Sequence, residues 1–345
     1  MREPFVIGGR AVAPGSRLTV DLPVGSFLNH MPSTLPVRVI HGHRPGPVMF
    51  VSAAIHGDEI IGVEIIRRLL SSGAITGLRG TLICVPVVNT FGFIHQSRYL
   101  PDRRDLNRSF PGMVNGSLAG QLAHLFLTEI VSRADFGIDL HSAALHRVNL
   151  PQVRYDAENG SIHESALAFG APLVLSAPLR PGSLRMAARE HGVEMLLYEA
   201  GEALRLDEFS VRIGVRGILN VMKQIGMLTS KRIRPSRAQS VISNSSKWVR
   251  APSGGIFRAV RTIGDNVKSG DVLGYVSNPW GESEEQVEAT LAGLIIGRSN
   301  LPIVNPGDAL FHVARLHGPQ SVEKRISSIE DAIDDDPLFD EDEII

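Results

Sequence analysis

The feature that most limits what this chain can fold into is the run "PVMFVSAAI", residues 47–55, which has no polar face at all. A strand without a polar face must be covered on both sides, so it belongs in a sheet held between two other layers. Further runs of the same kind occur later in the chain: "GTLICVPVVN", "DFGIDLH", "PLVLSA" and "VEMLLYEAG". Between them, apolar residues recur at helical spacing over Glu59–Leu70, Gly120–Ser132, Ser161–Phe169, Arg185–His191 and Phe209–Met227. Strands alternating with helices predict an α/β sheet layered between helices.

Around this unit the pattern changes. Residues 1–46 read as short strands punctuated by Gly and Pro, a β segment packing on the 47–230 unit. After Leu228 the stretch "TSKRIRPSRAQSVISNSSK" is polar and basic and reads as a linker. Residues 245–318 read as a small all-β domain with an internal repeat: "APSGGIFRAVRTIGDNVKSGDVLGYV" is echoed by "ATLAGLIIGRSNLPIVNPGDALFHVA". That repeat resembles lipoyl and biotinyl carrier modules. Those modules carry their modified lysine between the halves, and here that stretch, "SNPWGESEEQVEA", has none. The expectation is a barrel-sandwich-like fold without the carrier role. Residues 319–345 form an acidic tail, read as solvated.

With 35 basic against 36 acidic side chains, charge gives no reason to expect nucleic acid or a membrane surface as partner. The single cysteine, Cys84, excludes an intrachain disulfide and fits the cytoplasm. No apolar run reaches membrane-spanning length, and the N-terminus lacks a secretory h-region. Uncovered strand edges are compatible with a homo-oligomer.

The apolar run 47–55 stops at His56, and Gly57, Asp58 and Glu59 come next, at a strand-to-helix turn. An i, i+3 His/Glu pair at such a turn can converge on one ion, and His141, at the end of "FGIDLH", can reach the same sheet edge. Two histidines, one glutamate and a water make a catalytic zinc set; the bland alternative is a pair of hydrogen-bonded structural histidines. In "QSRYLPDRRDLNRSFPG", Arg98, Arg103, Arg104, Asn107 and Arg108 read equally as a solvated basic loop or as a clamp for a substrate carboxylate. Glu199, ending "LLYE", could move a proton to and from a metal-activated water, with Glu202 as rival; alternatively it caps the next helix. No G-x-S-x-G elbow, HExxH helix, P-loop or G-x-G-x-x-G turn is present.

Taken in order, His56-Gly57-Asp58-Glu59, Asp105-Leu106-Asn107-Arg108, Asp139-Leu140-His141 and Tyr198-Glu199-Ala200-Gly201 resemble the succinylglutamate desuccinylase/aspartoacylase family, over about residues 45 to 320. The resemblance implies a three-layer α/β/α, zinc-carboxypeptidase-like domain with a mixed sheet, plus the small C-terminal β domain. It implies a deacylase acting on an N-acylated amino acid or similar amide, with one Zn2+ per subunit held by His56, Glu59 and His141. By the same resemblance Glu199 is the general base and acid, and Asn107 and Arg108 hold a substrate carboxylate. Arg98, or else Arg104, polarises the scissile carbonyl. Arg185 or Arg189 supplies a further substrate contact. The longer layout resembles bacterial deacylases, including those for N-acetyl-diaminobutyrate. The rival readings are a carboxypeptidase-like metallopeptidase and a non-catalytic lipoyl-like binding module.

Overall fold

The computed structural model describes residues 2–26, 30–158, 162–229, 240–316, 327–329 and 331. The chain opens with a small hairpin, β1 (Phe5–Ile7) and β2 (Arg10–Val12). Next come β3 (Ser16–Ser26), β4 (Pro32–His41) and β5 (Arg44–Ala53), then α1 (Ile61–Ser71) and β6 (Arg79–Val85). After α2 (Thr90–Ile94) and α3 (Leu118–Glu129) come β7 (Phe136–Ala143) and β8 (Arg147–Tyr155). The α/β part continues through α4 (Ile162–Phe169), β9 (Leu173–Ser176), α5 (Leu184–Glu190), β10 (Glu194–Glu202) and α6 (Glu208–Gln224). The C-terminal strands are β11 (Val241–Ser243), β12 (Ser246–Arg250), β13 (Gly255–Ala259), β14 (Asn266–Val267) and β15 (Val272–Ser277). They end with β16 (Glu284–Glu288), β17 (Gly293–Ser299), β18 (Ile303–Val304) and β19 (Ala309–Arg315).

A 13-stranded mixed sheet forms the backbone of the molecule, and β16, β15, β13 and β18 form a separate 4-stranded sheet. At the centre of the large sheet β6, β5, β7 and β10 run parallel to one another, and β4 and β8 flank them antiparallel. The apolar strands explain the layering. Met49, Val51 and Ala53 of β5 point into a core shared with Ile61 and Ile65 of α1 and Val211 and Ile218 of α6. Phe50 points the other way, into a core with Leu122 and Phe126 of α3 and Leu184 of α5. Each of these Val, Leu, Ile, Phe and Met side chains, fully removed from water, contributes roughly 1.5–3 kcal/mol. Phe50 meets Phe126 edge-on at 6.1 Å between ring centroids. It fits there because position 137 is glycine, where a Cβ would lie 2.2 Å from the Phe50 ring. These layers are the three-layer α/β/α arrangement that the sequence predicts.

Some elements differ from their sequence reading. β8 is missing from it, because Asn149, Pro151, Gln152 and Arg154 interrupt the apolar pattern of "RVNLPQVRY". Part of the expected linker is β11, which pairs in parallel with β9, while residues 230–239 lie outside the described residues. The strand ending in "DLH" runs on to Ala143, two residues past His141. The first helix starts at Ile61 rather than Glu59, whose N–H donates to the His56 carbonyl inside the turn. The C-terminal strands join the large sheet through β17, which pairs antiparallel with β8. Of the acidic tail 319–345, residues 327–329 and 331 are described, and Ile329 is buried in the α/β core rather than solvated. No helix among the described residues is long and apolar enough to cross a membrane.

Candidate metal centre

β5 delivers the chain to a turn that its own backbone bends sharply. Ala54 sits at φ 49°, in the left-handed region that non-glycine residues seldom adopt. The bend is held by Val88 N–H donating to the Ala53 carbonyl and Asn89 N–H donating to the Ala54 carbonyl. Beyond it, Leu204 N–H donates to the Asp58 carbonyl, tying the turn to the segment after β10. Gly57 lies against the backbone of α2: a Cβ there would stand 2.0 Å from the Gly92 carbonyl carbon and 2.2 Å from Phe93 N. Neither atom is the end of a flexible side chain, so the turn itself must move. Gly57→Ala is therefore expected to lose roughly 1–3 kcal/mol of stability and to weaken metal retention, measured by thermal melting with and without added zinc.

The turn and β7 together place His56, Glu59 and His141 so that one ligand atom from each lies within 4.8 Å of the others, all three residues being buried. His56 Nδ1 is 2.7 Å from Glu59 Oε1, and His141 Nδ1 is 2.7 Å from Glu59 Oε2. The outer ring nitrogens are held by other carboxylates. His141 Nε2 lies 2.6 Å from Asp139 Oδ2, and His56 Nε2 lies 3.1 Å from Asp105 Oδ1. Ser52 Oγ donates to Asp139 Oδ1 at 2.7 Å. This donor set fits a zinc-type ion. Two imidazoles turn the same nitrogen inward beside one carboxylate, and each outward nitrogen is fixed by a carboxylate that sets ring orientation and basicity.

The charges are strongly coupled. Burial pushes the Glu59 carboxyl up, but His56 and His141 pull it down further, well below the carboxylate range. Burial works against the charged forms of both histidines, yet neighbouring carboxylates raise them: Glu59 and Asp105 for His56, Asp139 and Glu59 for His141. Asp105 is likewise held low against its burial, by His56 and then Arg98.

A cleft of about 630 Å³ opens beside this set. Glu199 lines it, and the parallel pairing of β10 with β7 makes Glu199 the lateral neighbour of His141. Glu202 turns elsewhere, accepting from His146 N–H and from Asn300 Nδ2. Arg98 lines the cleft and donates to Glu59 Oε1 and Asp105 Oδ2, at 3.1 Å each. Arg104 does not enter it: its side chain is 63% exposed, beside Asp102. Arg104 faces solvent, whereas Arg98 is drawn inward by buried Glu59 and half-buried Asp105. Asn107 and Arg108 both line the cleft. The Asn107 Oδ1 accepts from Leu184 N–H, anchoring the start of α5, and Arg108 donates to the Asn107 carbonyl. Arg185 also lines it, whereas Arg189 pairs with Asp156 and Glu158 outside. Burial, then the neighbouring Arg154 charge, pushes Arg185 down to about 10.

Several lining residues have no role assigned in the sequence reading. Asp139 stands two residues before His141, so the period of a strand already puts both side chains on one face. Asn149 and Arg154 come from the unanticipated β8, and nothing in their local pattern marks them. Part of the lining comes from the C-terminal strands. Trp248 stacks on His312 at 4.6 Å and 7°, and the Arg147 guanidinium lies 5.3 Å from the Trp248 ring centroid. Burial, then Arg154 and Arg180, pushes His312 down to about 3, so it stays neutral.

A family model, the succinylglutamate desuccinylase/aspartoacylase catalytic domain, matches residues 45–225. An N-alpha-acetyl-L-2,4-diaminobutyric acid deacetylase from Halomonas elongata is 28% identical over 294 residues, 82% of this chain and 86% of the relative. A succinylglutamate desuccinylase/aspartoacylase structure from Rhodobacter sphaeroides superposes with a TM-score of 0.79 at 25% identity, covering 87% of this chain and 96% of that one. The product-bound ectoine utilization protein EutE (DoeB) from Ruegeria pomeroyi gives a TM-score of 0.79 at 25% identity, covering 91% of this chain and 100% of that one.

Proposed function

The chain belongs to the succinylglutamate desuccinylase/aspartoacylase family, and from that premise we propose that it is a zinc-dependent deacylase that hydrolyses the amide bond of a small N-acylated amino acid or related N-acyl amine. The observation that carries this reading is the His56, Glu59 and His141 cluster with Glu199 beside His141 in one cleft. When bound, the metal supplies Lewis acidity, which lowers the pKa of a water from ~15.7 towards ~7 and polarises the acyl carbonyl.

The chain's own residues do the rest. Glu199 takes a proton from the attacking water and gives it to the departing nitrogen as the C–N bond breaks, leaving a carboxylic acid and a free amine. Arg98, fixed on Glu59 and Asp105, sets a guanidinium charge beside the ligand set, where negative charge grows on the carbonyl oxygen. Arg108, with Asn107, presents donors suited to a substrate carboxylate, and Arg185 adds a further cation to the cleft. The wall formed by Trp248 and His312 favours small substrates over polypeptides. A cytoplasmic location is part of the same reading, supported by Cys84 being a buried free thiol.

The name of the Halomonas relative makes Nα-acetyl-2,4-diaminobutyrate the first compound to test. Zinc-loaded protein is expected to release amine from at least one member of a panel of N-acetyl, N-succinyl and N-formyl amino acids, and to leave peptides intact. Cleavage of the peptides instead would move the assignment to a carboxypeptidase. A metal-replete protein inert towards the whole panel would remove it.

A further inference from the structure

The proton carrier is itself clamped, and by one oxygen only. Asn149 Nδ2 donates to Glu199 Oε2 at 2.6 Å, and an Arg154 guanidinium nitrogen donates to the same atom at 2.9 Å. No donor among the described residues reaches Oε1. Both clamping side chains come from β8, which pairs antiparallel with β10 and brings Gln152 opposite Glu199. The ladder then slips: Gly201 pairs with Asn149 rather than Leu150, one residue further along β8 than regular pairing from Glu199 would give. The slip coincides with Gly201 at φ 69°, and re-aiming a side chain is what such irregularities do in sheets. On its other side Asn149 needs room: a Cβ at Gly297 of β17 would stand 2.8 Å from Asn149 Oδ1.

We infer that Asn149 and Arg154 are positioning residues that commit Glu199 Oε2, so that Oε1 is the one atom of this carboxylate that receives and returns the proton. The inference rests on the deacylase reading of the same cleft. Two donors on one oxygen fix the plane of the carboxylate and remove its freedom to rotate, and a proton carrier misplaced by even 1 Å can lose on the order of 10²-fold in rate. Charge-assisted hydrogen bonds of this kind are about twice as strong as neutral ones. Glu199 therefore stays aligned without help from substrate.

The test uses the full-length, zinc-loaded protein and a panel substrate that the wild type hydrolyses. Arg154→Ala is expected to lower kcat about 10- to 100-fold with KM changed less than about threefold and zinc content unchanged. Arg154→Lys, which keeps one donor, and added guanidinium are each expected to restore part of the rate. Asn149→Ala lowers kcat in the same way but less. In a Glu199→Gln background the Arg154→Ala change is expected to cost almost nothing further, since Arg154 acts through Glu199. A loss confined to KM, or one that persists undiminished in the Glu199→Gln background, overturns the inference and makes Arg154 a substrate contact. If Arg154→Ala fails to fold, Arg154→Lys and Asn149→Ser decide by the same double-variant comparison. A wild type inert on every substrate defeats the deacylase reading itself, which separates the two failures.

Discussion

Glu199→Gln is expected to keep its metal and to lose about 10²–10⁴-fold in kcat, the range that a positioned proton carrier supplies. Glutamine has the shape of glutamate, and its carbonyl oxygen can still accept from Asn149 and Arg154. The side chain therefore stays where it is, but the atom facing the cleft becomes an amide that cannot take up a proton from water. Because His56, Glu59 and His141 are untouched, zinc stoichiometry by elemental analysis should match the wild type. Steady-state kinetics on the best panel substrate should show the fall in kcat with little change in KM. Turnover near wild type would show that Glu199 carries no proton in the reaction.

Glu59→Gln is expected to show the opposite signature, losing the metal and activity with it. Glu59 is 2% exposed and meets both Nδ1 atoms and Arg98. Its carboxylate is the anion that allows three otherwise repelling groups to converge. An amide is a poor ligand for zinc and carries no charge to offset the ion. Changing even an outer-shell partner commonly costs 10- to 100-fold in metal affinity, so losing a direct ligand should cost at least about 10²-fold. Competition with a chromophoric chelator measures this directly. Near-stoichiometric zinc retained against the chelator would exclude Glu59 from the ligand set.

The convergence of His56, Glu59 and His141 was legible in sequence because each lies near the end of an apolar strand. Such strands can only lie in a covered sheet, and the edge of that sheet gathers the residues at their ends. His56 and His141 are 85 positions apart in the chain yet 5.2 Å apart between ring centroids. The layered sheet was legible for the same reason. The arginines were not, because a loop such as 96–112 carries no periodicity to say which side chains turn inward. Arg98 does so because buried Glu59 and half-buried Asp105 lie beside it, a fact about three dimensions. β8 hid because it mixes Pro151 and polar groups into a strand, and two of those polar side chains, Asn149 and Arg154, meet Glu199.

The pairing of β17 with β8 has a mechanical consequence. Asn149 is bonded on one side to β10 and on the other to β17. The C-terminal strands are thus no hinged cover that could be trimmed off to widen the entrance. Cutting the chain ahead of them would strip a ladder from the strand whose side chains hold Glu199, baring unsatisfied amides and inviting aggregation.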